Sequence, residues 1–326
     1  MELYEDLAIH ALDLFPVRVQ RLHPLRQSDN LTWQIMDKDN HAYLLRLHHS
    51  ISAVMAGSRQ NPDSIRSELE WLGAISQTGL PVQHPLRSLS RDYVALLPLG
   101  SRMIPCTLLT WLEGKHYDAN EHGIPAVAAS FGRLAAFLHN QSLAWTPPPG
   151  FSRPTYDVAH FQRLIATLSR GVQMNIISYE DWAVIRRAAD QLLGDVLISQ
   201  GISDQWGLIH ADLHSGNILI RGEDVLVIDF SLCGFGSFLF DLSIALVAGV
   251  PAELRRFYLQ AYRHQRALPD EYLPLIEAYG LAGVLSYCAY QIDNPEQMEW
   301  LTYRIPRLAA SECRKYLNRE PIYFEE

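Results

Sequence analysis

The chain has 326 residues, of which 48% are hydrophobic, an ordinary globular composition with room for two domains that each bury a core. Its formal net charge of −9 at pH 7 argues against general nucleic-acid binding and mildly favours a cationic or amine-bearing partner. No apolar run reaches the roughly 18 residues that a membrane helix needs, so no membrane association is expected.

Residues 1–6, MELYED, are acidic where a secretory signal would be basic, which points to a cytoplasmic protein. Residues 17–48 are β-like. Residues 30–36 read as a strand, Asp37-Lys38-Asp39-Asn40 as a turn, and residues 42–47 as a returning strand. Between the first two strands stands Arg26-Gln27-Ser28-Asp29-Asn30 rather than a glycine-rich phosphate loop. Asn61 as N-cap and Pro62 at the first helical position open a helix, in which Ile65, Leu69, Leu72 and Ile75 recur at helical spacing. Thr78-Gly79-Leu80-Pro81 ends it, and β-like runs at residues 93–97 and 106–111 complete a small sheet with one helix. Leu112-Glu113-Gly114 marks the crossing to a second region. That region is mostly helical, at about residues 124–140, 180–199 and 239–247, with several more helices after Pro251. Pro147-Pro148-Pro149 is a stiff connector. Cys106, Cys233, Cys288 and Cys313 are dispersed and form no CxxC pair, as expected for free thiols in a reducing compartment.

The chemistry concentrates between Ile209 and Phe230. His210-Ala-Asp212-Leu-His214-Ser-Gly-Asn217 lies between two apolar β-like runs, and the second of these, Val225-Leu-Val-Ile228, ends on Asp229. The spacing is that of a phosphotransferase catalytic loop followed by its metal-binding aspartate. Phosphoryl transfer needs a carboxylate to orient the attacking hydroxyl and hard oxygen ligands to hold Mg²⁺ against the phosphates. Asp212 suits the first task, Asn217 and Asp229 the second. At these residues the chain resembles the aminoglycoside phosphotransferase/choline kinase superfamily. The following Cys233-Gly-Phe-Gly236-Ser-Phe-Leu-Phe-Asp241-Leu-Ser resembles its branch of homoserine kinase-like enzymes and a bacterial stress-response Ser/Thr kinase.

The resemblance implies an α+β, bilobal, protein-kinase-like fold. Residues 1–111 would form a small antiparallel-sheet lobe that binds nucleotide, and residues 112–326 a larger, mostly helical lobe for catalysis and the acceptor. ATP would be the phosphoryl donor and Mg²⁺ the cofactor. Arg46 on the returning strand is the cation available for the nucleotide phosphates, where many relatives carry lysine; its guanidinium can fork onto phosphate oxygens. Glu68 on the next helix is its partner in preference to Glu70. Ser28 and Asn30 would meet phosphate in a polar turn, and the link at Thr110, Trp111 and Leu112 would receive the adenine. His210 and Asp241 would support the loop backbone. In the C-terminal helices Tyr287, Tyr290 and Asp293 would contribute to an acceptor pocket suited to an amine. The implied acceptor is a small-molecule hydroxyl on an amino alcohol or hydroxy-amino acid such as homoserine.

Other readings stay open from sequence alone. His210-x-Asp212-x-His214 could ligate zinc or iron if the segment were an extended strand. The loop could be a polar turn between core strands, and Tyr287, Tyr290 and Asp293 could simply pack the helical lobe. A Ser/Thr protein kinase, an aminoglycoside phosphotransferase and a nucleotide-binding interaction module remain alternatives. Ser231-Leu232 stands where the branch carries acidic residues. Oligomeric state and a role for His214 do not follow from the sequence.

Overall fold

Leu31, Trp33 and Ile35 alternate with Thr32, Gln34 and Met36, and in the computed structural model the first set is buried and the second partly exposed. This period of two is what a half-buried strand imposes. The structure describes residues 2–27, 30–48 and 61–324. Strand β1 (Val19–Gln27) pairs antiparallel with β2 (Leu31–Asp37), and β2 with β3 (Ala42–Leu47). Asn40 turns the chain between β2 and β3 at φ 63°. The buried Asp37 carboxylate fixes that turn by accepting the amides of Asp39 and His41 at 2.9 and 2.8 Å.

Helix α2 (Pro62–Ser76) begins where the sequence places it, with the Asn61 side chain accepting the Asp63 amide. Strands β4 (Pro85–Leu86) and β5 (Ala95–Leu99) both pair with β6 (Arg102–Thr110), which closes the sheet against β3. A helix absent from the sequence reading, α1 (Glu2–Leu12), adds Leu7, Ala8, Ala11 and Leu12 to the core formed by Leu31, Ile35, Leu45 and Leu47. Together these elements make the first of two compact units, Met1–Gly114 plus Trp145–Arg153. The returning segment is bonded to α2. The Ser152 amide donates to Ser67 Oγ at 2.9 Å, and Arg153 donates to the Ser64 carbonyl at 3.0 Å.

The second unit comprises Lys115–Ala144 and Pro154–Glu326. It starts with β7 (Lys115–His116), the short α3 (Ala119–His122) and α4 (Pro125–Ala144). Helix α5 (Val158–Gln173), also unforeseen, is capped by Asp157, and α6 (Tyr179–Gln200) by Ser178. Four short strands follow: β8 (Trp206–Ile209), β9 (Ile218–Arg221), β10 (Asp224–Val227) and β11 (Gly234–Ser237). Helices α7 (Phe238–Ala248), α8 (Arg255–Arg263), α9 (Leu273–Gln291), α10 (Met298–Leu308) and α11 (Arg314–Leu317) complete it, with a π turn at Ala309–Cys313. Helix α9 is buried on most sides and packs against α5, α6 and α7, as an apolar helix at the centre of a helical unit must. Helices α4 and α8 cross closely at Gly132, where a Cβ would come 2.1 Å from the Tyr258 carbonyl oxygen. Among the described residues no helix is long and apolar enough to cross a membrane. All four cysteines are free and buried.

Candidate active site

Two strand pairs in the second unit set the loop. β8 pairs with β11, placing Ile209 opposite Gly234, and β9 pairs with β10 through a two-residue turn at Gly222, φ 67°. Asp212 and Asn217 therefore lie on the β8–β9 connection, and Asp229 follows β10. The backbone is strained on both connections: Ala211 and Asp229 each have φ 63°, in the left-handed region, which non-glycine residues keep only where their surroundings enforce it.

At Ala211 the enforcing group is Asp241. Its buried carboxylate accepts the His210 amide on Oδ2 at 2.8 Å and the Ala211 amide on Oδ1 at 2.6 Å. The N-cap of α7 is Ser237, not Asp241, so the carboxylate is left to bind the loop. His210 is fully buried; its Nε2 donates to the Ile228 carbonyl at 3.2 Å and its ring lies edge-on to Phe230. This ties the Asp212 connection to the Asp229 connection, and the Ile228 amide adds a second tie by donating to the Asn217 carbonyl at 3.0 Å.

Past the turn, Asp212 Oδ2 accepts from Asn217 Nδ2 at 2.8 Å, and the Asp212 carbonyl accepts from the same nitrogen at 3.0 Å. With its nitrogen engaged on Asp212, Asn217 offers Oδ1 as a ligand atom. His214 caps the turn Ser215–Asn217: its Nδ1 accepts the Gly216 amide at 3.0 Å. Nε2 therefore carries the proton, and it lies 3.5 Å from Asp212 Oδ2. Asp229 is exposed and accepts the Ser231 amide at 3.2 Å. A charge at the end of β10 is thus not a buried charge; what sets Asp229 apart is its backbone.

The hydrolase geometry is not realised. Ala211 breaks the extended strand it requires, and His210 is buried and bonded to a carbonyl. Among the described residues the one group of three metal-binding side chains is Asp37, Asp39 and His41.

In the first unit Arg46 and Glu68 form a buried ion pair at 2.7 Å, and Arg46 Nε lies 3.4 Å from Thr107 Oγ1. His48, held well below its ordinary pKa first by burial and then by Arg46 and Arg153, bonds the same threonine hydroxyl. Ser28 lies outside the described residues, and Asn30 is half-buried in the bend just before β2. The amides of Thr110 and Trp111 donate to the carbonyls of His84 and Ala42, so at these two residues it is the carbonyls, not the amides, that are offered to a base edge. Leu112 lies past the sheet and is half-buried.

The acceptor residues on and after α9 fare unevenly. Tyr287 is half exposed and meets Trp300 edge-on at 5.3 Å, and Tyr290 is partly exposed. Asp293 is taken by Arg170 of α5 in a two-pronged pair at 2.8 and 2.9 Å, so its charge is already balanced. Sequence reasoning also missed His139 and Tyr262, which stand behind Asp241.

The sequence model of the APH phosphotransferase enzyme family matches residues 21–275. The chain belongs to that family. An amicoumacin kinase of Bacillus subtilis (strain 168) is 27% identical over 228 residues, covering 68% of this chain and 61% of the relative, so the chain matches about three fifths of that kinase's length. An amicoumacin kinase in complex with AMP-PNP, Ca²⁺ and Ami has TM-score 0.79 at 19% identity, covering 98% of this chain and 96% of that one. A microcompartment-associated aminopropanol kinase has TM-score 0.77 at 24% identity over 97% and 98% of the two chains. A choline kinase from Cryptosporidium parvum Iowa II has TM-score 0.69 at 13% identity over 97% of each. These likenesses bear on the fold: the phosphotransferase-family chain has the α+β, protein-kinase-like architecture expected of it.

Proposed function

We propose that this chain is an ATP- and Mg²⁺-dependent phosphotransferase that moves the γ-phosphate to a hydroxyl of a small amine-bearing molecule. The observation that carries the reading is Asp212 presented by a strained, clamped turn and hydrogen-bonded to Asn217 at 2.8 Å. A carboxylate so held orients an acceptor hydroxyl and takes its proton as the phosphorus–oxygen bond forms. Asn217 Oδ1 and the exposed Asp229 carboxylate are hard oxygen donors of the kind Mg²⁺ takes, and the bound cation would neutralise phosphate charge. Arg46, braced by Glu68, serves the nucleotide phosphates, and Leu112 the adenine. The nucleotide-binding part, expected from sequence at residues 1–111, extends to the first unit, Met1–Gly114 with Trp145–Arg153, and the second unit is the catalytic and acceptor part.

The relatives are named for amicoumacin and aminopropanol. With the net charge of −9, these names support a hydroxylated amine as acceptor, a class that includes homoserine. The test is ADP release from ATP over 1-amino-2-propanol, homoserine, amicoumacin, an aminoglycoside and an unfolded protein, with Asp212→Ala as control. Turnover with a hydroxylated amine is expected, lowered about 10²–10⁴-fold in the variant. Turnover with the protein alone would replace this acceptor class with that of a protein kinase.

A further inference from the structure

The clamp on Ala211 has a layer behind it. Asp241 Oδ2, which accepts the His210 amide, also faces Nε2 of His139 on α4 at 3.3 Å, although 102 residues separate the two in sequence. Nδ1 of the same imidazole is 2.9 Å from the hydroxyl of Tyr262 on α8. All three side chains are buried. Burial, opposed by Asp241, lowers the His139 pKa, so the ring is neutral and one nitrogen donates while the other accepts. A carboxylate can only accept, so Nε2 carries the proton and the Tyr262 hydroxyl donates to Nδ1. The ring also stacks on Phe238 at 4.3 Å, and the Arg266 guanidinium lies 4.6 Å from the same phenyl ring. Both nitrogens and one face of the imidazole are therefore fixed.

We infer that His139 and Tyr262 are positioning residues for phosphoryl transfer, acting through Asp241 to hold the left-handed Ala211 turn that presents Asp212. The inference rests on the phosphotransferase reading of Asp212. Without the imidazole, the Asp241 carboxylate loses its lateral donor and can pivot, and the two amides it accepts lose their fixed target. The turn then relaxes toward a conformation that alanine prefers, and Asp212 moves with it.

A double-mutant cycle with Ala211→Gly tests this, because glycine adopts a positive φ without strain and has less need of the clamp. In the wild-type background His139→Leu should lower kcat about 10- to 100-fold with ATP KM changed by less than about twofold, the signature of a misplaced catalytic group. In the Ala211→Gly background the same change should cost several-fold less. Tyr262→Phe removes one oxygen atom and should show the same coupling on a smaller scale; it carries the cycle if His139→Leu does not fold. Hydrogen exchange at the His210 and Ala211 amides is a readout independent of turnover, and it should quicken in Tyr262→Phe. Equal kcat losses in the two backgrounds, or unchanged exchange at these amides, overturn the relay. Turnover that survives Asp212→Ala overturns the phosphotransferase reading instead, and the exchange measurement then still decides the relay.

Discussion

The Arg46–Glu68 pair is the sharpest place to test how the first unit is built. Arg46 is 6% exposed and Glu68 2%, with nitrogen and oxygen 2.7 Å apart. Glu68→Ala removes the carboxylate 2.7 Å from the guanidinium, and the Thr107 hydroxyl at 3.4 Å carries no charge to replace it. Breaking one side of a buried pair costs about 3–5 kcal/mol. With a urea dependence of about 2 kcal/mol per M, the midpoint should fall by roughly 1.5–2.5 M. Replacing both partners by apolar groups, Arg46→Met with Glu68→Leu, should restore stability to within about 1 kcal/mol of wild type or beyond it. The same double variant should still lose nucleotide affinity, which separates a stabilising role from a binding one. A Glu68→Ala midpoint within about 0.5 M of wild type would refute the reasoning, because the charge would then not be desolvated as its burial requires.

Three further outcomes follow from the geometry. Asp229→Asn should weaken the metal dependence of nucleotide binding more than Asn217→Ala, since it removes full charge; calorimetric titration of MgATP checks this, and an unchanged metal dependence in both would favour the polar-turn reading. His160 is pushed down to about 4, first by burial and then by Arg163, against Asp157. The folded state thus binds fewer protons than the unfolded chain below the ordinary value of 6.5, so stability should fall as pH drops from about 6.5 toward 4. His160→Gln should flatten that fall in urea midpoints measured at pH 7 and pH 5, and an unaltered slope would contradict the assignment. Asp293→Asn should leave acceptor KM within about twofold and stability within about 1 kcal/mol, because an exposed pair with Arg170 contributes little; a large rise in KM would return Asp293 to the pocket.

Local chemistry was legible in the sequence and long-range chemistry was not. The β2–turn–β3 hairpin and the start of α2 follow from alternation at Leu31, Trp33 and Ile35 and from the Asn61-Pro62 cap. These signals act within a few residues. Helices α1 and α5 were equally local, in the spacing of Leu7, Ala8, Ala11 and Leu12 and in the Asp157 cap, and a closer reading of periodicity would have found them. The Asp212–Asn217 spacing marks a loop, but the partners that shape it come from afar. His139 meets Asp241 across 102 residues, and Arg170 meets Asp293 across 123. No periodicity encodes such pairs, which exist only once α4, α5, α7 and α9 have packed. The engagement of the Thr110 and Trp111 amides likewise depends on sheet register.

The return of Trp145–Arg153 to the first unit has a consequence for the newborn chain. Synthesis proceeds at about 5–20 residues per second, so the roughly 40 residues from Lys115 to Arg153 take about 2–8 s to appear. Through that interval β1 to β6 and α2 are already translated, while the Ser67 hydroxyl and the Ser64 carbonyl await the Ser152 amide and the Arg153 guanidinium. Maturation of the two units is therefore interlaced on the ribosome. The first unit gains its last backbone anchor only after β7, α3 and α4 of the second have been made, and a chain released at Gly114 would end before its own unit was complete.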